Sequence, residues 1–135
     1  MSSGAEFDLE DMRAQGEAAG VKVLYLLIMT PLPVAGSQPA ESSALEAHYA
    51  YLHRVIEDGK VLVIGPCMNE TAISGQAPVP PGFGILTVGS REDAEQIARD
   101  EPFHTMGWRH NTVMAWTPKF GSLIEVLRDA TGPGE

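Results

Sequence analysis

The sequence predicts an α+β domain with element order β-α-β-β-α-β, closing into one four-stranded antiparallel sheet of strand order 4-1-3-2. Three observations carry that prediction. Four strand-length apolar runs are spaced along the chain. Amphipathic helical segments lie between the first and second runs and between the third and fourth. Pro- and Gly-rich connections separate most of these elements. Two split βαβ units with right-handed crossovers give this order, with both helices on one face.

Residues 1–20 read as a leader, with a weak helix over Asp8–Ala19 set against a frayed, solvated segment. Residues 21–135 read as a single domain that includes a C-terminal helix. Val21–Met29 is the first strand; apolar residues fall on both of its faces, so both need cover. The second face has no helix left over. A partner sheet, the C-terminal helix or the N-terminal segment would cover it, and a face-to-face homodimer is the economical choice.

Thr30–Ala40 is a loop. Ser43 and Glu46 have capping-box spacing, opening a helix over Ala44–Asp58 that Gly59 ends. On a helical wheel Leu45, Tyr49, Leu52 and Ile56 form one narrow stripe, read as the core face. Lys60–Ile64 is the second strand, ended by Gly65-Pro66. Residues 67–82 carry three prolines and two glycines, too many for regular structure, and a connection this long suggests a binding loop. Phe83–Val88 is the third strand. Ser90 opens a helix that runs to Asp100 and is halted by Pro102. Asn111–Trp116 is the fourth strand and Phe120–Ala130 the C-terminal helix.

Composition removes several function classes. The net charge is −9, from 18 acids against 9 Lys and Arg, which argues against nucleic acid or an anionic membrane as partner. The longest apolar run holds nine residues, far short of the roughly 20 that span a bilayer. The N-terminus shows no signal peptide, so a soluble cytoplasmic protein is expected. A lone Cys67 forbids an internal disulfide and any Cys-based zinc site. No phosphate-loop or dinucleotide fingerprint surrounds Gly82-Phe83-Gly84, and no cofactor is expected.

The topology brings the start of the first helix, the Gly65–Glu70 turn and the Asp100–His104 segment to one rim of the sheet. The polar residues carried there are His48, Asn69, Glu70, Asp100, Glu101 and His104. His48 sits about 60° from Leu45 on the wheel, inside the apolar arc. An imidazole held there beside a carboxylate suits proton transfer near neutral pH; alternatively it is a core-edge histidine bonded to backbone. Pro102 forces Glu101 out of the helix, so its carboxylate can turn back to the rim and orient His48; a solvated helix end is the plainer reading. His104 is an auxiliary base or ligand. No zinc motif is present, and a metal at His48, His104 and a carboxylate is the remaining way to build one. Cys67 reads as a small apolar residue more readily than as a nucleophile, and His53 as solvated. Phe103, Trp108, Phe83, Tyr25 and Met29 are candidate pocket lining or plain core, and Arg109, Arg99 and Arg54 are the cations available for an anionic ligand.

The ordered series His48-Tyr-Ala-Tyr-Leu52, Glu57-Asp58-Gly59-Lys60, Ile64-Gly65-Pro66, Ser90-Arg-Glu-Asp-Ala94, Asp100-Glu101-Pro102-Phe103 and Trp116 resembles the YCII-related (YciI-like) family. The likeness runs from about Val23 to Trp116. It implies a ferredoxin-like fold of the dimeric α+β barrel superfamily, with a cleft histidine at the position of His48. It also implies an acid after the Gly-Pro turn, where this chain has Asn69 and Glu70. The family's Asp-Pro-Phe is Glu101-Pro102-Phe103 here, so the histidine's partner is either Glu70 or Glu101. One activity known in the family is dehydrochlorination of a chlorinated hydroxyhydroquinone. The fold is shared with muconolactone isomerases and cofactor-free monooxygenases.

The reading drawn from all this is a cofactor-independent small-molecule enzyme of lyase or isomerase type. His48, Glu101 and Glu70 are the candidate catalytic residues; His104, Asn69, Asp100, Arg109 and Phe103 are candidates for binding. Its rivals are a non-catalytic ligand-binding or accessory module, a structural dimerising domain, and a cofactor-free monooxygenase. The expected partners are a small organic molecule and a second copy of the chain.

Overall fold

The structure is a computed structural model that describes residues 8–18, 20–33, 42–68 and 79–131. In chain order these form α1 (Leu9–Ala18), β1 (Leu24–Pro31), α2 (Ser42–Glu57), β2 (Val61–Pro66) and β3 (Gly82–Leu86). They continue as α3 (Arg91–Asp100), α4 (Pro102–Thr105), β4 (Arg109–Trp116) and α5 (Ile124–Thr131). The strands make one sheet of order β2-β3-β1-β4, with β3 antiparallel to both β1 and β2. This is the order read from the sequence, and the architecture is α+β with a further C-terminal helix. Among the described residues no helix is long and apolar enough to cross a membrane.

Contacts gather the chain into two compact units, residues 1–24 with 115–135, and residues 25–114. In the first, Val21, Leu24 and Leu127 are buried. The expected C-terminal helix starts later, at Ile124, and Phe120, Leu123 and Val126 are exposed.

The second unit holds most of the sheet and the long helices. Within β1, Tyr25, Leu27 and Met29 are buried while Leu26 and Ile28 are half-buried. Each fully buried aliphatic side chain contributes about 1.5–3 kcal/mol relative to exposure. On the other face of the sheet Val63, Phe83 and Met114 remain exposed. Phe83, placed in the sequence reading as pocket lining or core, is therefore on the open face. β2 lies at the sheet edge, where its terminal Pro66 costs no ladder bond. On the opposite edge the backbone of β4 is met by side chains: Asn111 N–H donates to His104 Nδ1 (3.1 Å), and Arg91 Nη2 donates to Val113 C=O (3.2 Å).

Two helix starts differ in how they are made. Ser90 is extended and its Oγ accepts from Asp93 N–H at 3.1 Å, so the second helix opens as its sequence directs. In α2 the helix already begins at Ser42, so Ser43 stands within the first turn and is not its cap. The larger correction concerns its face. The residues of α2 that are buried are Ala44, His48, Tyr51 and Val55. That stripe is turned by roughly 100° from the Leu45-Tyr49-Leu52-Ile56 stripe expected from the wheel. Tyr49 and Ile56 are exposed, and Leu45 and Leu52 are half-buried. The physical reason is that Leu45, Tyr49 and Leu52 wall a cavity; the more apolar stripe faces a hollow, and the core takes the smaller and more polar one.

Candidate functional site

Pro102 organises the site from the backbone outward. Its ring ends α3 and starts α4, leaving Glu101 between them in an extended conformation (φ −64°, ψ 127°). Freed from the helix, the Glu101 side chain folds back as the cap of α4, accepting from Phe103 N–H through Oε2 at 2.9 Å. The same oxygen meets His48 Nδ1 at 2.6 Å, and Oε1 accepts from Asn111 Nδ2 at 3.0 Å. Glu101 is fully buried. Burial alone would raise its carboxyl, but the hydrogen bonds from His48, Asn111 and the Phe103 amide hold it below the ordinary glutamate value.

An ionised carboxylate only accepts, so the proton on the imidazole edge facing Glu101 is on Nδ1. That fixes the ring. His48 is buried and stacked on Phe103, with centroids 4.1 Å apart and planes at 10°. Its Nε2 makes no hydrogen bond to any described residue, and His48 belongs to the wall of a cavity of ≈ 450 Å³. Small-molecule sites typically have volumes of about 300–1,000 Å³. Apart from His48 the wall is largely apolar, with Met29, Leu45, Leu52, Ile64 and Val79 joined by the rings of Tyr49 and Phe103. Gly84 makes part of this possible: a Cβ there would fall 2.9 Å from Ile64 Cγ1, so its absence lets Ile64 lie across β3.

Arg109 is the cation of the same wall, at 4% exposure. Its Nε and Nη2 both donate to the Pro80 carbonyl, at 3.1 and 2.8 Å. Its guanidinium carbon stands 5.0 Å from the Phe103 ring centre. Burial lowers its pKa from the usual arginine value, with Glu101 opposing; arginine nevertheless stays charged at any working pH.

The structure thus brings together His48, Glu101, Phe103 and Arg109. It places two other candidates elsewhere. Asp100 is exposed and accepts from Gln96 Nε2 at 2.9 Å. His104 is half-buried against β4, its Nδ1 committed to Asn111 N–H, and it is absent from the cavity wall. Asn69 and Glu70 lie outside the described residues, so Glu101 is the partner of His48 found among those described. Cys67 is half-buried and unbridged, and His53 is exposed. Of the candidate pocket aromatics, Tyr25 sits in the core and Trp108 packs on Phe103. Among the described residues no group of three His, Cys, Asp or Glu side chains is placed to hold a metal ion.

Sequence reasoning passed over Asn111. Its Nδ2 bridges the Ala98 carbonyl and Glu101, each at 3.0 Å, while its buried Oδ1 has no hydrogen-bond partner. An asparagine inside a strand, where it is disfavoured, was the available signal.

Comparison with known proteins supports the lineage. Residues 23–117 match the family model of the YCII-related domain. The chain is similar to the xenovulene A biosynthesis cluster protein asL2 of Sarocladium schorii, at 32% identity over 82 residues, covering 58% of this chain and 71% of that protein. Among solved structures it is similar to a 5-chloro-2-hydroxyhydroquinone dehydrochlorinase from Burkholderia phenoliruptrix AC1100, solved with 2,5-dihydroxybenzoquinone. There the TM-score is 0.49 and the identity 22%, over 69% of this chain and 92% of the other.

Two predictions follow from the carboxylate's bonding. Glu101→Gln keeps the shape but sets an NH₂ group against a donor it cannot accept from, and flipping Asn111 would turn its oxygen onto the Ala98 carbonyl. The expected cost is about 1–3 kcal/mol, rising to about 3–5 kcal/mol for Glu101→Ala, which leaves all three donors unpaired; urea unfolding measures both. The second is a pH dependence. The folded-state pKa of Glu101 lies below its unfolded value, so its contribution is complete above the unfolded glutamate pKa. It is lost as pH falls through the lower folded pKa. The stability gap between wild type and Glu101→Gln should therefore narrow on acidification below about pH 4 and stay constant from there to neutrality, as read by the urea midpoint.

Proposed function

The chain belongs to the YCII-related domain family, and on that premise we propose that it is a cofactor-independent acid/base enzyme of lyase or isomerase type. The observation that carries the proposal is the 2.6 Å contact between His48 Nδ1 and the buried Glu101 carboxylate, at the wall of a cavity large enough for a small organic molecule. Glu101 holds the imidazole in the tautomer whose lone pair is on Nε2, and it stabilises the imidazolium formed when that nitrogen takes a proton. Glu101 is a positioning residue and His48 the base.

The reaction is a proton transfer. Nε2 removes a proton from an acidic carbon or hydroxyl of the ligand, leaving the electron pair on the ligand as an enolate or phenolate. Return of the proton to a different carbon isomerises the ligand; departure of a leaving group with its electron pair from the adjacent carbon makes the reaction an elimination. The apolar wall keeps water from competing for the proton and strengthens the Glu101–His48 interaction. Neither outcome needs a redox group.

The same unit supports a homodimer. The open face of the sheet presents Val63, Phe83 and Met114, large apolar side chains with 56%, 40% and 55% exposure; a second copy laid on this face would remove them from water.

Two experiments test these readings. With cyclic ketones and hydroxyquinones as probes, proton-for-deuteron exchange at carbon is followed by NMR. His48→Ala and His48→Gln should lower the rate by about 10²–10⁴-fold with an unchanged fold by circular dichroism, and unchanged exchange would refute the role of His48. Light scattering should give a dimer for the wild type and a monomer for Phe83→Glu. A wild-type monomer at micromolar concentration removes the dimer.

A further inference from the structure

The bonding of Arg109 leaves something undone. Its side chain is nine-tenths buried or more, yet among the described residues no carboxylate stands within ion-pair distance. Two of its nitrogens spend their contact on one carbonyl, that of Pro80. Among the described residues the third, Nη1, meets only the Met29 thioether, at 3.5 Å, and a thioether is a weak acceptor. A guanidinium offers five N–H groups, so hydrogens on both Nη atoms are left without an acceptor among the described residues, at the wall of the cavity. A buried cation that no described carboxylate pairs with directly is held at a standing cost, and proteins keep one where something else supplies the charge.

The surroundings show that the position is built. Gly82 lies beside the group: a Cβ at that residue would fall 2.6 Å from Met29 Cε and 3.2 Å from Arg109 Nη2. A side chain there would displace the end of Met29 and press the guanidinium by a few tenths of an ångström. The Pro80 carbonyl fixes the fork from one side, and the Phe103 ring lies within cation–π range. That same ring stacks on His48, so the cation and the imidazole border one hollow through a shared aromatic plate.

We infer that Arg109 is an anion seat, and that the cavity takes small organic anions, a ring or short chain bearing one carboxylate or ionised oxygen that the free Nη hydrogens receive. The inference rests on the cavity being a ligand site, as proposed above, and names the class of ligand. It also gives the proton transfer its electrostatic complement. When Nε2 takes a proton the ligand gains negative charge, and the guanidinium already faces the space where that charge forms. Arg109 then sets specificity by charge, and the apolar wall sets it by size.

The test uses binding, so it is independent of turnover. Benzoate and benzamide share a shape and differ in charge; their affinities for wild type, Arg109→Met and Arg109→Lys are measured by calorimetry. The wild type should prefer benzoate by about tenfold or more. Arg109→Met should abolish the preference while still binding benzamide, and Arg109→Lys should keep part of it. Equal affinity of wild type for the two probes overturns the inference, as does failure to bind benzoate or an unchanged preference in Arg109→Met. The wild-type comparison decides the matter even if Arg109→Met does not fold. A wild-type preference for benzoate together with a His48→Ala protein that still exchanges protons would refute the base and leave the anion seat standing.

Discussion

One buried carboxylate ties the larger unit together. Glu101 joins α2 through His48, β4 through Asn111 and its own short helix through the Phe103 amide. Three donors from three elements converge on two oxygens with no water between. A neutral hydrogen bond is worth about 1 kcal/mol net, and one to an ionised acceptor roughly twice that. The arrangement therefore stabilises only while complete, because each donor left behind would be buried without a partner. The group that would hold the base in register also holds the elements that form the cavity, so site and fold cannot be altered separately at this position.

The hollow itself arises from two economies of volume. Glycines at 82 and 84 let Met29, Arg109 and Ile64 approach the sheet more closely than a Cβ would permit. Meanwhile α2 turns its larger aliphatic stripe toward the gap and packs Ala44 and Val55 into the core. Among the described residues the walls are apolar except for one imidazole and one guanidinium, so the proposed site would sort ligands first by shape and then by charge.

Much of this was legible in the sequence, and the unread part has identifiable causes. Strand order followed from the βαββαβ alternation and crossover handedness, which are global rules indifferent to local error. The turn of Glu101 toward the rim was legible because Pro102 acts through sterics on its immediate neighbour. The face of α2 was misjudged, since periodicity reports where apolar residues lie and cannot tell a packed core from a cavity wall. The short helix α4 was missed for a related reason: Pro102 was read as a stop, though proline at a first helical position is also a start. Asn111 went unnoticed because its role depends on elements ten or more residues away. Pairing His48 with Glu101 needed coordinates, for the predicted topology sends the segments of both candidate acids to one rim, and Glu70 lies outside the described residues.

The two flanks of the sheet have a bearing on how the protein behaves when crowded. A row of unpaired amides and carbonyls along an outer strand is a template for runaway strand addition, the route by which soluble sheets become fibres. Here one flank ends in a proline, and along the other an imidazole and a guanidinium occupy backbone groups that an incoming strand would need. Lateral growth is thereby discouraged on both sides. The exposed Val63, Phe83 and Met114 leave the flat of the sheet as the place where the proposed dimer would form, an association that closes on itself.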